Sequence, residues 1–171
     1  LRARHDIAAD AVVFLLVGSA YARKGVGRAI EALTTLPAQA HLIVVGRERH
    51  MGRYDALAQR LGVAGRVTFA GPRADPKPYY GAADVFVLPT LYDAGSNAVL
   101  ESLACGLPVV TSDRCGPGEL VADYHAGTVC GARDIDAIAA GMRALLDPDT
   151  RARASTGAVA AMRPLTPEAM A

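Results

Sequence analysis

Short, uninterrupted apolar runs recur along this chain, and segments with helical spacing separate them. The first two runs, Val12–Val17 and His41–Val45, are rich in valine, leucine and isoleucine, and a glycine follows each. Continuous apolar runs of this length are typical of strands buried on both faces of a sheet. Because strands and helices alternate strictly with short loops, we predict an α/β fold: a doubly wound, Rossmann-like parallel sheet with helices on both faces.

About six strands follow from these runs, and they locate the binding site. The predicted strands cover residues 12–17, 41–45, 66–69, 84–88, 108–111 and 127–130, and helices are predicted near 26–33, 54–61, 76–83, 98–105, 134–146 and 150–162. Pro164 and Pro167 are expected to break regular structure beyond the last helix. Such sheets bind ligands beyond the carboxyl ends of their strands. The segments with unusual glycine and polar content all fall at this edge: residues 18–25, 46–53, 71–75, 89–97 and 113–119.

Composition limits the classes of function. The chain of 171 residues suits a single domain, and its 18 basic and 17 acidic residues leave a net charge of +1. A nucleic-acid-binding surface needs clustered positive charge, so we expect no nucleic-acid partner. There is no apolar run of membrane-spanning length and no secretory signal, and three widely spaced cysteines fit a reducing compartment, so we expect a cytoplasmic protein. Because the chain begins at Leu1 without a methionine, we also expect a fragment of a larger protein.

Two carboxylates, Asp93 and Glu101, flank a small polar turn that leads into an apolar helix. The turn and the start of the helix consist of Ala94, Gly95, Ser96, Asn97 and Ala98. Free backbone N–H groups at a helix start attract phosphate, and carboxylates beside such a site can accept hydrogen bonds from sugar hydroxyls. This combination indicates a sugar nucleotide. An ordinary helix cap with two solvated acids is the alternative interpretation.

Arg23 and Lys24 follow the first predicted strand, after Gly18 and Ser19, at what we predict to be a helix start. A guanidinium fork beside a lysine point charge suits a diphosphate. The segment is not a Walker loop and lacks the third glycine of a dinucleotide fingerprint. Two solvated surface charges are the alternative.

Arg73, after the third strand, is a candidate to stack on a nucleotide base, with an ordinary turn as the alternative.

Two Asp-x-Asp pairs, Asp134/Asp136 and Asp147/Asp149, match a pattern that can bind manganese. We assign neither to a metal, because the first pair opens a helix and the second lies in a helix-ending proline turn. We therefore predict no metal site and no cofactor. Among the histidines, only His50 is placed to meet a ligand.

Together these segments resemble the C-terminal, nucleotide-sugar-binding domain of retaining glycosyltransferases of the two-Rossmann-domain (GT-B) type, family four. That family carries two acids separated by seven residues, followed by an apolar helix and Gly-x-Pro-Val, which match residues 93–101 and 106–109. Its first acid is usually Glu, so Asp93 is a departure. The resemblance covers Val12 to about Ala160. The runs 17–19, 23–26, 30–33, 61–63 and 106–109 are most similar to the branch that transfers glucose to the lipopolysaccharide core.

The resemblance implies a role for each candidate residue. Arg23 and Lys24 would hold the diphosphate, Glu101 would accept both ribose hydroxyls, and Asp93 would reach the donor hexose. The base would lie near Arg73. The remaining candidates for donor contacts are Gly18, Ser19, Gly95, Ser96, Asn97 and Ala98.

The implied reaction transfers a hexose from a UDP-sugar to an acceptor hydroxyl of the lipopolysaccharide core or a related glycan, with retention and without a metal. The cations and the helix start would stabilise the leaving diphosphate. The glycan or lipid-linked acceptor would bind to an N-terminal domain absent here, so this chain is expected to bind donor without turnover. Peripheral association of the full-length enzyme with the cytoplasmic membrane is a further expectation. Alternatives are a sugar-nucleotide epimerase, a non-catalytic nucleotide-binding module and, more distantly, an oxidoreductase.

Overall fold

The structure, a computed structural model, describes residues 1–163. Its six strands are β1 (Val12–Val17), β2 (Ala40–Val45), β3 (Val67–Gly71), β4 (Val85–Leu88), β5 (Val109–Ser112) and β6 (Gly127–Cys130). The α-helices in the described residues are α1 (Tyr21–Lys24), α2 (Val26–Leu33), α3 (Met51–Arg60), α4 (Lys77–Tyr80), α5 (Asn97–Ala104), α6 (Gly118–Asp123), α7 (Ile135–Ala144) and α8 (Pro148–Met162). Short 3-10 helices cover Arg2–His5 and Ala64–Arg66.

The strands form one parallel sheet in the order β3-β2-β1-β4-β5-β6. This arrangement confirms the predicted doubly wound fold. The strand order reverses between β1 and β4, and sheets of this kind bind ligands in the crevice at that point. The predicted cations follow β1 and lie in α1, and the predicted acid pair follows β4, with Asp93 in the loop and Glu101 in α5. The topology therefore brings the two candidate segments together.

The apolar runs form the core as their sequence predicts. All residues of β2, β4 and β5 are buried, and β1 is buried except at its two ends. His41 is the polar member of β2, and its ring Nε2 lies 2.8 Å from the Thr68 hydroxyl. Burial lowers the pKa of His41, so its neutral form is favoured within the core.

Two helices differ from the sequence-based prediction. Helix α6 was not predicted, because Gly116, Pro117 and Gly118 at its start are typical of a turn. Helix α8 begins at Pro148, where the Asp147 carboxylate accepts a hydrogen bond from the backbone of Thr150. The predicted effect of the prolines at positions 164 and 167 lies outside the described residues. Within residues 1–163, no helix combines the length and apolarity needed to cross a bilayer.

Candidate functional site

A cavity of about 860 Å³ lies at the carboxyl ends of β1, β2 and β3. Its lining includes the predicted residues Gly18, Ser19, Arg23, His50 and Arg73 together with Arg47, Glu48, Arg49 and Arg53. The loop after β1 is held to the loop after β2, because the Ser19 hydroxyl accepts a hydrogen bond from the Arg47 N–H at 3.1 Å. The guanidinium of Arg73 is exposed and lies 5.9 Å from the ring of Tyr79.

Helix α1 places the two predicted cations. Its first N–H, from Tyr21, donates to the Glu48 carboxylate at 3.0 Å. Arg23 and Lys24 lie in the last turn of α1 rather than at a helix start, and Gly25 then separates α1 from α2. The prediction of their local structure was therefore wrong. The four residues of α1 form a single helical turn, and Gly25 alone separates Lys24 from the start of α2.

Lys24 and Asp93 form a largely buried ion pair between the Lys24 Nζ and the Asp93 Oδ2. Their side chains are 12% and 14% exposed, so Asp93 is not the solvated acid of the alternative interpretation. Burial raises the pKa of Asp93, but the hydrogen bond from Lys24 and the nearby positive charges lower it further, so the net shift is downward. At pH values above its ordinary pKa, the ionised Asp93 therefore stabilises the fold. This contribution is lost as the pH falls through the lowered pKa of the folded state.

The loop between β4 and α5 is also held to α1 by its backbone. The Leu91 N–H donates to the Arg23 carbonyl at 2.8 Å, and the buried Thr90 hydroxyl donates to the same carbonyl at 3.1 Å. In return, the Arg23 guanidinium donates to the Tyr92 carbonyl at 2.9 Å. These contacts join the cation segment and the acid segment, so that neither can move far without the other.

Helix α5 begins with unsatisfied backbone donors. Its N-cap is Ser96, which is buried and provides no side-chain cap. Within the described residues, the N–H groups of Ser96, Asn97 and Ala98 donate no hydrogen bond. Gly95 and Asn97, on either side of the buried Ser96, are exposed and follow the same loop that carries Asp93. Such a helix start is suited to an anion.

Glu101 lies in the second turn of α5. Its carboxylate accepts a hydrogen bond from the buried Tyr80 hydroxyl at 2.8 Å. Burial and this carboxylate both raise the pKa of Tyr80, so the tyrosine remains a neutral donor. Glu101 itself is exposed, and its second oxygen carries no hydrogen bond among the described residues. It forms no hydrogen bond with Lys24 or Asp93.

Sequence reasoning placed the loop between β2 and α3 at the binding edge but missed its arginines, which give the cavity most of its charge. Arg47, Arg49 and Arg53 extend from this loop and from the first turn of α3, and none forms an ion pair within the described residues. The oxygens of Glu48 accept backbone hydrogen bonds from Tyr21 and His50. The concentration of arginine within residues 46–53, directly after a buried strand, was the available signal.

The two Asp-x-Asp pairs serve helix starts. Asp134 caps α7 by accepting a hydrogen bond from the Ala137 N–H at 2.9 Å, and Asp136 lies in the first turn. Asp147 and Asp149 occupy the equivalent positions in α8. Within the described part of the chain, no group of three or more His, Cys, Asp or Glu residues is arranged to hold a metal.

Comparison with known proteins gives concordant matches. A family model described as glycosyl transferases group 1 matches residues 1–159. The lipopolysaccharide glucosyltransferase WaaG of Escherichia coli K12 is 38% identical over 132 residues, which are 75% of this chain and 35% of the relative. The crystal structure of WaaG, a glycosyltransferase involved in lipopolysaccharide biosynthesis, matches with a TM-score of 0.85 at 33% identity, over 92% of this chain and 44% of that one.

A more distant match shows the same fold. The Anabaena protein HepE, solved in complex with UDP and glucose, matches with a TM-score of 0.86 at 24% identity. The match covers 95% of this chain and 46% of HepE. In each of these comparisons the chain spans less than half of the length of the other protein.

Proposed function

The chain belongs to the group 1 glycosyl transferases, and we propose that it is the part of such an enzyme that binds the nucleotide-sugar donor. The proposal rests on the contact between two segments. One carries the cations Arg23 and Lys24, and the other carries Asp93 and leads into α5; they meet where the strand order reverses. On this proposal, the phosphate donors and the hydroxyl acceptors would lie side by side in one crevice.

The cavity next to this crevice suits the nucleotide. Five arginines line it, whereas its single carboxylate, Glu48, is engaged with backbone N–H groups. A diphosphate would meet Arg23 and Lys24, and the base would lie near Arg73. Glu101 would accept the ribose hydroxyls with the oxygen that Tyr80 leaves free. The N–H groups at the start of α5 would bind the sugar and the phosphate.

In the full-length enzyme, the bound hexose would pass to an acceptor hydroxyl with retention of anomeric configuration. Negative charge develops on the leaving diphosphate, and pre-positioned cations and N–H groups stabilise such charge without reorganisation. This stabilisation would not require a metal. The acceptor, a glycan of the lipopolysaccharide core or a lipid-linked relative, would bind through an N-terminal domain, and this chain alone would bind donor without turnover. Cytoplasmic location and peripheral membrane association remain predictions.

The test of this function separates the two acids. Glu101→Gln is expected to weaken UDP and UDP-glucose alike, because both carry the ribose. Asp93→Asn should weaken UDP-glucose about tenfold, the effect of losing one charge-assisted hydrogen bond, and leave UDP unchanged or slightly tighter. The reason is that Asp93 no longer competes with the diphosphate for Lys24. Calorimetry with both ligands measures the difference.

Asp149→Asn is the matched control, since Asp149 is an exposed acid in the first turn of α8. If neither Asp93→Asn nor Glu101→Gln differs from this control, the acids do not contact donor. Equal weakening of UDP and UDP-glucose by Asp93→Asn would contradict the division of roles and leave the site itself in place.

Metal independence has its own test. We expect the UDP affinity to be the same in chelator and in excess manganese, because the Asp-x-Asp pairs cap helices and the cations supply the charge that a metal would otherwise provide. Calorimetric titrations under the two conditions measure this. A large gain with manganese would show that phosphate binding uses a metal, and Asp134→Asn and Asp147→Asn would then reveal whether either pair holds it.

A further inference from the structure

The loop between β5 and α6, residues 113–117, contributes no side chain to the proposed donor contacts, yet it holds Asp93. The Asp93 N–H donates to the Arg114 carbonyl at 2.9 Å, and the Asp93 carbonyl accepts from the Gly116 N–H at 2.9 Å. Both backbone polar groups of Asp93 are thus committed to a loop other than the one that supplies Lys24. The carboxylate therefore projects from a backbone that β5 and α6 fix in place.

Gly116 allows this approach because it has no side chain. Its backbone is not in the left-handed region, so conformation alone would permit another residue there. A Cβ atom on Gly116 would lie 1.9 Å from the Ala94 carbonyl oxygen and 2.9 Å from its carbon. These are backbone atoms, which cannot rotate away as a flexible side chain would. Any side chain at this position would force the two loops apart by roughly 1 Å.

Ser112, at the end of β5, makes a second link between the same two segments. Its buried hydroxyl donates to the Thr90 carbonyl at 2.6 Å and accepts from the Arg114 N–H at 3.3 Å. Thr90 also contacts Arg23 of α1. The segment from Thr90 to Asp93 is therefore held by α1 through one set of hydrogen bonds and by the β5–α6 connection through another.

We propose that Gly116 is a positioning residue: through the close approach of the β5–α6 loop, it fixes the Asp93 carboxylate where the donor hexose meets it. Misplacement of a binding group by about 1 Å can cost an enzyme as much as a hundredfold, so a backbone clamp of this kind has functional consequences. The contact between Asp93 and the hexose rests on the proposed donor function. The position of the Asp93 carboxylate can be tested without any ligand bound.

The experiment combines a titration of the Asp93 carboxyl group by carbon-13 NMR with calorimetry, on the wild type and Gly116→Ala. In the variant, we expect the pKa of Asp93 to rise towards its ordinary value because its geometry with Lys24 is lost. The affinity for UDP-glucose should fall about tenfold while that for UDP changes less than about twofold, since only the sugar contact depends on Asp93. Gly65→Ala is the control, because a Cβ at Gly65 meets nothing within 4 Å.

Ser112→Ala provides a second variant without a steric clash, should Gly116→Ala fail to fold. It removes the hydroxyl that joins Thr90 to Arg114, so the same two changes are expected at smaller size. An unchanged Asp93 titration in a folded Gly116→Ala variant would overturn the proposal. If Gly116→Ala does not fold, an unchanged titration in folded Ser112→Ala would overturn it. If wild type itself binds UDP and UDP-glucose equally, the proposed hexose contact fails, and the titration still decides whether Gly116 positions Asp93.

Discussion

Replacing Lys24 by alanine is expected to weaken UDP binding about tenfold or more, because a charge-assisted hydrogen bond contributes roughly 1.5–3 kcal/mol. Two effects act in the same direction. The diphosphate loses a cation, and the Asp93 carboxylate, no longer paired, repels it from a largely buried position. The measurement is calorimetric titration of UDP into the wild type and the variant at one ionic strength.

Lys77→Ala is the matched control for this prediction, since Lys24 and Lys77 are the two lysines of the chain. Lys77 is exposed and forms no ion pair within the described residues, so its removal should change UDP affinity little. Lys24→Ala should also raise the pKa of Asp93 by removing its partner. Equal UDP affinity for the two lysine variants would show that the ion pair serves the fold and not the donor.

The strands could be predicted from sequence because their hydrophobic signal is local. Runs such as His41–Val45 and Asp84–Leu88 are continuous, and the observed strands agree with them within about two residues. Helix α6 could not be predicted in this way. Its first turn contains Gly118, and a Cβ atom on Gly118 would lie 3.3 Å from the Ser112 carbonyl oxygen. Packing against β5 therefore decides the conformation there. Tertiary contact overrides a local turn signal in this segment.

The site could be predicted in part for a similar reason. Strand ends bring the correct loops together, so the meeting of residues 23–24 with the loop that bears Asp93 follows from a parallel sheet. The direct pairing of Lys24 with Asp93 does not follow, because 69 positions separate them and opposite charges at one sheet edge have many alternative partners. Nor does the role of Gly116, whose neighbour Ala94 is near only in the folded chain.

The glycine between α1 and α2 has a structural role that determines where Lys24 lies. Gly25 has a left-handed φ of 84°, and a Cβ there would lie 2.2 Å from the Pro89 carbonyl oxygen. Arg28 donates to the same carbonyl at 2.9 Å, so the oxygen is held in place. The turn that carries Lys24 and the end of β4 are therefore in contact through a position that tolerates no side chain.

Gly25→Ala is accordingly expected to lower the free energy of unfolding by about 3 kcal/mol, combining about 1–2 kcal/mol for the left-handed conformation with the overpacking against Pro89. For a chain of this size that corresponds to a fall in the melting temperature of roughly 6–12 °C, which calorimetry would detect. The folded fraction should also bind UDP more weakly, because relief of the clash moves Lys24 away from Asp93.

Gly27→Ala is the control within α2, since its Cβ would make only an ordinary contact, 3.7 Å from the Leu57 side chain. Alanine is favoured over glycine inside a helix by roughly 0.5–1 kcal/mol, so this variant should be as stable as wild type or slightly more stable. The comparison isolates the geometry of position 25 from the general effect of removing a glycine. If the two variants melted at the same temperature and bound UDP equally, the contact between Gly25 and Pro89 would not determine where Lys24 lies.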